Sequence, residues 1–169
     1  MITKNEIRDS LINEYKIIKQ LVSKLPEGSE DFRFSDDQRS TIELARYLTL
    51  VGPGVIHGGL DNGFQWFGEN GPAAENLTLA EIPAHLDGAM NEIQSLFDNM
   101  SDEDFENRDV SVEGMGDWKM KGWLLNTAMK FIPAYKLMLF NHAKAAGNAE
   151  IGTWDAWLDN GEVPAPNAG

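Results

Sequence analysis

Apolar residues recur at steps of three and four positions in four long stretches of this chain, which is the spacing of one buried helix face. The first two stretches contain Ile7, Leu11, Ile18, Leu21 and Leu25, and then Leu44, Leu48, Val51 and Val55. The third contains Ile82, Leu86, Ala89, Ile93, Phe97 and Met100, and the fourth runs from about Met120 to Ala146. The pattern predicts an all-α fold, a four-helix bundle.

Local signals mark where these helices begin and end. A Ser or Thr followed three residues later by Glu has the spacing of a capping box, in which each side chain accepts a hydrogen bond from the other residue's backbone N–H. This spacing occurs at Thr3–Glu6, Ser40–Glu43 and Thr78–Glu81. The PEG sequence at 26–28 and Gly147 are expected to end the first and fourth helices. Pro53 and Pro133 lack a backbone N–H, so each predicts a kink.

The connections between the helices differ in length. Residues 62–76, which include three aromatic residues, are predicted to form a long loop that covers one end of the core. Residues 110–118 contain two glycines and are predicted to be mostly loop. Beyond the fourth helix, Trp154 and Trp157 are expected to dock the C-terminal segment onto the bundle.

Composition excludes several classes of function. The chain carries 14 Lys and Arg residues against 27 Asp and Glu residues, so its formal net charge is −13. A surface this acidic repels phosphate backbones and anionic lipids, which disfavours nucleic acid and membranes as partners. The absence of cysteine excludes disulfides and thiolate chemistry. No apolar run approaches the ~18 residues of a membrane span, and no signal-peptide pattern is present, so we expect a cytoplasmic protein.

Polar residues on the inward helix faces are candidates for a ligand pocket. Together with one aromatic neighbour, they are Glu14, Tyr47, Thr127, Phe131, Tyr135 and His142. One interpretation is a pocket in which Glu14 or His142 acts as an acid or a base. The alternative is a buried Glu–Tyr hydrogen bond that fixes the register of the helices. A third possibility is that a proline shifts the helical phase, so that these residues do not form one cluster.

The three histidines do not predict a metal site. One helix face holds a metal through side chains three or four residues apart, and His57, His85 and His142 are much farther apart than that. His57 lies opposite the apolar stripe of the second helix and is expected to be exposed to solvent. No nucleophile elbow or phosphate-binding loop is present either, so no cofactor is predicted.

The outward face of the fourth helix is also apolar. Its residues are Met129, Pro133, Leu137 and Phe140. A helix that is apolar on two faces is expected to be buried on both. We expect the second face to be covered by another copy of the chain in a homodimer, and coverage by the C-terminal tryptophan segment is the alternative.

Three stretches resemble the DinB-like (DinB/YfiT) superfamily of four-helix bundles. They are RSTIELARYLT at 39–49, LTLAEIPAHLDGAMNEIQSLFDNMSDEDF at 77–105 and WLLNTAMKFIPAYKLMLFNHAKAAG at 123–147. The resemblance implies a single bundle domain at 1–160, with a long loop between helices two and three and a docked C-terminal segment. Residues 161–169 would then form a C-terminal tail.

In that superfamily three histidines bind a divalent metal, and its enzymes are metal-dependent transferases, isomerases or hydrolases. The resemblance places those ligands at Tyr47, Phe131 and Tyr135, none of which is a histidine. It therefore implies a metal-free bundle that binds a small molecule or has a structural role, as a homodimer. The alternative is a transferase or hydrolase that uses a shifted site around Glu14, Tyr135 and His142.

Overall fold

The computed structural model of the chain describes residues 2–159, so the predicted tail at 161–169 lies outside the described residues. The long helices are α1 (Lys4–Ser23), α2 (Thr41–Asp61), α4 (Ile82–Asn99) and α7 (Ala128–Ala145). The shorter elements are α3 (Gln65–Ala74), α5 (Asp102–Asn107), β1 (Asp109–Val112), β2 (Gly116–Lys119), α6 (Met120–Asn126) and a 3₁₀ helix at Thr153–Ala156. No helix in this part of the chain is long and apolar enough to cross a membrane.

The four long helices form the predicted bundle. α1 and α2 each pack against both α4 and α7, so the helices surround the core in the order α1, α4, α2, α7. The apolar stripes of the sequence point inward, and Ile18, Leu48, Ile93 and Ile132 are completely buried. The all-α bundle is confirmed, and it follows from burial of one apolar stripe on each helix.

Capping boxes open the first two helices as predicted. The Thr3 hydroxyl accepts a hydrogen bond from the Glu6 N–H at 3.2 Å, and the Glu6 carboxylate accepts one from the Thr3 N–H at 2.7 Å. The third box behaves differently, because the Glu81 N–H bonds the Thr78 carbonyl at 3.0 Å and closes a separate turn. α4 therefore begins at Ile82, one turn later than the box predicts.

Two connections predicted to be loops contain regular structure. The segment 62–76 turns at Asn62, whose φ is 54°, and then forms α3. The segment 110–118 forms most of an antiparallel hairpin, in which Val110 and Val112 are buried and alternate with exposed residues. The glycines that suggested a loop instead supply the left-handed conformations of its turn, with φ near 80° at both.

The predicted fourth helix is divided at Thr127 into α6 and α7. The Trp123 carbonyl accepts hydrogen bonds from both the N–H and the hydroxyl of Thr127, at 2.9 and 2.7 Å. A threonine hydroxyl that bonds the preceding turn competes with the regular helix pattern, and the backbone leaves helical geometry there. α7 then continues through Pro133 and ends before Gly147, whose φ is 121°.

A tyrosine from α1 is inserted into the hydrogen-bond ladder of α2. The Tyr15 hydroxyl donates to the Leu48 carbonyl at 3.0 Å and accepts from the Gly52 N–H at 2.9 Å, so it joins two groups that a regular helix would bond directly. A Cβ at position 52 would lie 2.4 Å from this hydroxyl, so only glycine leaves room for it. The insertion occurs immediately before Pro53, where the sequence predicts a kink.

The C-terminal segment docks onto the bundle, although not through its tryptophans. Ile151 and Ala156 are buried, and the Gln20 side chain donates to two backbone carbonyls of the segment at 3.2 and 3.1 Å. Trp154 and Trp157 pack edge to face on each other and are nearly 60% exposed. The prediction of a docked segment is confirmed, and the role given to the two tryptophans is wrong.

Candidate ligand-binding site

The inward polar residues separate into three groups instead of forming one cluster. In the first group, the Glu14 carboxylate on α1 lies 2.7 Å from the ammonium group of Lys136 on α7. These side chains are only 17% and 8% exposed. The expected Glu–Tyr hydrogen bond is therefore wrong, since Glu14 is neutralised by a lysine. Lys136 follows Tyr135 directly, and the ~100° turn between them directs one side chain to α1 and the other to α2.

The second group surrounds His142, near the C-terminal end of α7. The ring is completely buried, its Nδ1 lies 3.0 Å from the Thr41 hydroxyl, and Phe32 and Phe34 pack against it edge-on. Burial lowers the pKa of His142, because the charged imidazolium is disfavoured away from water. This group is packed and neutral, and it does not join Glu14 or Tyr135 in a shifted catalytic site, the alternative predicted from the sequence.

The third group joins Tyr47 of α2 to Tyr135 of α7. The two ring centroids are 4.9 Å apart, and the rings meet edge to face. Arg39 lies over them, with its guanidinium carbon 4.2 Å from the Tyr47 centroid and 5.8 Å from the Tyr135 centroid. Burial, reinforced by the neighbouring Tyr135, raises the pKa of Tyr47 to about 12. Tyr47 is therefore a neutral phenol at physiological pH.

An apolar cavity of about 310 Å³ lies beside this third group. Six residues line it: Tyr47, Val55, Phe64, Phe67, Met115 and Phe131. The long helices α2 and α7 supply its inner wall, whereas α3 and the turn of the hairpin supply its outer wall. None of the six side chains is charged at neutral pH. We call this space the aromatic cavity.

Small residues of α2 allow the outer wall of the aromatic cavity to approach the bundle closely. A Cβ at Gly54 would lie 2.3 Å from the Phe67 ring, and a Cβ at Gly58 would lie 2.9 Å from the Phe64 ring. Trp123 of α6 also contacts α2, where its indole N–H donates to the Val55 carbonyl at 2.7 Å. The glycines of VGPGVIHGG thus leave room for aromatic rings from neighbouring elements. This close packing explains why they occur inside a helix, although each lowers helix stability by about 1 kcal/mol relative to alanine.

Part of this site is predictable from the sequence. The helical pattern predicts Tyr47, Phe131 and Tyr135 on inward faces; the structure brings these three together, each only partly buried. The pattern does not connect Phe64, Phe67 or Met115 with them, because their segments are predicted to be loops. The cluster of aromatic residues after the glycine-rich helix was the available signal. Thr127, the remaining candidate, is buried and satisfied by the Trp123 carbonyl, and it does not line the cavity.

His57 is not the exposed residue that the helical pattern predicted. Its Nε2 lies 2.9 Å from the Glu92 carboxylate on α4, and its ring stacks on Trp66 of α3. The ring is covered because α3 replaces the predicted loop and packs against α2. The stacking of His57 on Trp66 attaches α3 to the bundle.

The predicted interface residues of α7 differ in exposure. Leu137 is 50% exposed, Met129 and Pro133 are partly buried, and Phe140 is buried within its own chain. The apolar surface that α7 offers to a partner is therefore centred on Leu137. The homodimer stays a prediction.

The residues at the three positions where the resemblance implies metal ligands do not suit a metal. Phe131 has no ligand atom, and the neutral phenol of Tyr47 is a poor ligand for a divalent ion. The Arg39 cation over Tyr47 and Tyr135 would also repel a metal held between them. Within residues 2–159, no group of three or more His, Asp or Glu side chains is placed to hold a metal ion.

Comparison with known proteins identifies the fold. No protein-family profile matches the chain, and no curated protein matches it. Among solved structures, it resembles the crystal structure of YjoA, a DinB-like protein from Bacillus subtilis, with a TM-score of 0.69. The chain has a DinB-like fold. The match covers 88% of this chain and 96% of YjoA at 13% sequence identity, so it concerns the fold alone.

Proposed function

We propose that this DinB-like protein binds a small, mainly apolar molecule in the aromatic cavity and that it does so without a metal ion. The observation that carries the proposal is the cavity itself, which is walled by four aromatic rings, a methionine and a valine. Its volume of about 310 Å³ lies at the lower end of the range for small-molecule sites. The expected ligand is therefore compact, with an apolar body.

The way the cavity is built supports binding. Its inner wall lies on two long helices of the bundle, and rigid elements hold a binding surface in place without a large cost in ordering. Its outer wall lies on α3 and the hairpin, and Phe64 remains 38% exposed there. A large aromatic side chain left partly in water beside an apolar cavity provides surface that a ligand could cover.

The position of the cavity supports the same proposal. The resemblance to the DinB-like superfamily places three metal ligands at Tyr47, Phe131 and Tyr135. Tyr47 and Phe131 line the cavity, and Tyr135 packs against Tyr47 beside it. Because these side chains do not suit a metal, the place is available for an organic molecule. Glu14 and His142 lie in other groups, so the proposal assigns neither of them a role in the cavity.

The test is a calorimetric titration with 1-octanol, a neutral molecule with a short apolar chain. We expect saturable binding of one molecule per chain. Phe64→Ala should weaken it about fivefold, since loss of the ring removes roughly 1 kcal/mol of apolar contact. Phe34→Ala is the matched control, because Phe34 is also exposed but packs on His142. Absence of saturable binding, or equal effects of the two variants, would contradict the proposal.

A further inference from the structure

Arg39 has the features of a prepared anion site. Its guanidinium group lies over the rings of Tyr47 and Tyr135, and its side chain is otherwise exposed. Among residues 2–159, no carboxylate lies within ion-pair distance of it. The nearby carboxylate of Glu43 accepts the Ser40 N–H at 2.7 Å and faces Arg33 at 3.6 Å. Its pKa is lowered chiefly by the Ser40 hydrogen bond, and the charges of Arg33 and Arg39 add to this effect.

Arg39 lines a cleft that is next to the aromatic cavity. A cleft of about 440 Å³ is lined by Arg39, Arg46 and Tyr47 and also by the carboxylates of Glu43 and Glu75. Tyr47 also lines the aromatic cavity, so its ring separates a charged space from an apolar one. A molecule that lies across the edge of the Tyr47 ring would contact both the charged cleft and the aromatic cavity.

Stacking makes Arg39 a better receptor than a freely moving side chain. A guanidinium group presents its N–H donors in a planar fork, which matches the two oxygens of a carboxylate. The two phenol rings restrict the arginine before any ligand arrives, so less side-chain entropy is lost on binding. The net charge of −13 disfavours anions in general, so any selection for an anion must come from a local cation such as this one.

We propose that the ligand is an apolar molecule with a carboxylate at one end. Its body fills the aromatic cavity, and its carboxylate passes the edge of the Tyr47 ring and pairs with Arg39. The inference rests on the proposed function, because it requires the cavity to bind the apolar body. It adds that the protein binds a molecule with a terminal carboxylate more tightly than a neutral molecule with the same alkyl chain.

The experiment compares octanoate with 1-octanol, which have the same chain length, by calorimetry at pH 7.5 and low salt. Wild-type protein should bind octanoate at least tenfold more tightly than octanol. Arg39→Gln should lower octanoate affinity at least tenfold and leave octanol affinity within twofold. Arg8→Gln removes the same charge from α1, where Arg8 pairs with Asp9 and Asp98, and should leave both affinities within twofold.

The other possible results distinguish failure of the carboxylate inference from failure of the cavity proposal. If octanol binds as tightly as octanoate, or if Arg39→Gln leaves octanoate affinity unchanged, the carboxylate inference is overturned while the cavity proposal stands. If neither probe binds wild-type protein, the proposed function fails and the inference fails with it. If Arg8→Gln weakens octanoate as much as Arg39→Gln does, the effect is one of net charge, and the specific role of Arg39 is overturned.

Discussion

The two sides of α2 use aromatic residues in opposite ways. Toward α1, Tyr15 is completely buried, and its hydroxyl both donates and accepts a hydrogen bond within the α2 backbone. Toward α3 and the hairpin, Tyr47, Phe64 and Phe67 surround a cavity and remain partly exposed. The first side is a closed core in which the Tyr15 hydroxyl has both a donor and an acceptor partner. The second side leaves apolar surface uncovered, and we assign binding to it for that reason.

The largest effect is expected at the Glu14–Lys136 ion pair, which joins α1 to α7 in the interior of the bundle. Lys136→Met removes the cation that faces Glu14 and leaves a nearly buried carboxylate unpaired. We expect a loss of about 3 kcal/mol in the free energy of unfolding, measured by urea denaturation. The double variant with Glu14→Gln should recover part of this loss, because it leaves no charge unpaired. A loss below about 0.5 kcal/mol would show that the pair is not buried as described.

A pair of tyrosine variants tests the comparison directly. Tyr15→Phe keeps the ring in place but leaves the Gly52 N–H and the Leu48 carbonyl without their partner. We expect a loss of about 2 kcal/mol in the free energy of unfolding. Tyr47→Phe should cost less than about 0.5 kcal/mol, because the Tyr47 side chain is only partly buried. Equal losses for the two variants would remove the distinction between the two sides.

The histidine group predicts a pH dependence. Burial lowers the pKa of His142 in the folded state, so the unfolded chain binds its proton more readily. The contribution of the neutral His142 ring to the free energy of unfolding is therefore fully present above the unfolded-state pKa near 6.5. It is lost as pH falls below that value, by at most about 1.4 kcal/mol per pH unit. Urea denaturation of His142→Gln should show a smaller loss between pH 7.5 and 5.5 than wild type.

The exposed histidine of α4 provides the control for this measurement. His85→Gln replaces an exposed histidine, so it controls for the loss of a histidine as such, and the smaller loss of stability should be specific to His142→Gln. Identical pH profiles for wild type and His142→Gln would contradict the assignment of the buried neutral imidazole.

Filling the aromatic cavity should change binding more than stability. Met115→Trp places a larger side chain at the turn of the hairpin, where Met115 is partly exposed and lines the cavity. We expect octanol affinity to fall at least tenfold, with the free energy of unfolding unchanged within about 1 kcal/mol. As a control, Leu137→Trp introduces the same side chain at an exposed position of α7 that does not line the cavity, and it should leave octanol affinity unchanged. Equal binding by both variants and wild type would place the ligand elsewhere.

The smallest effect on stability is expected at Leu137, since this residue is half exposed. Leu137→Asp tests the predicted homodimer through its effect on association. If α7 forms the contact, sedimentation at micromolar concentration should show wild type as a dimer and the variant as a monomer. A monomeric wild type at these concentrations would contradict the dimer, and a dimeric variant would place the contact on another surface.

The fold was largely predictable from the sequence, and the site only in part. The apolar period and the Thr3 and Ser40 caps determine the long helices locally, so a single sequence is enough to identify them. The Glu14–Lys136 pair was missed because it depends on the relative rotation of α1 and α7, which no local pattern encodes. The outer wall of the cavity was missed because α3 and the hairpin are stabilised by contacts with α2 and not by strong local periodicity.

The central claim is that the aromatic cavity binds an apolar molecule, and methyl NMR during an octanol titration tests it most directly. We expect saturable shifts of the Met115 and Val55 methyl signals, because both residues line the cavity. The Met90 and Met129 methyl groups, which lie outside it, should not respond. Shifts centred on Met90 or Met129, or no shift at Met115 and Val55 at saturating octanol, would contradict the account.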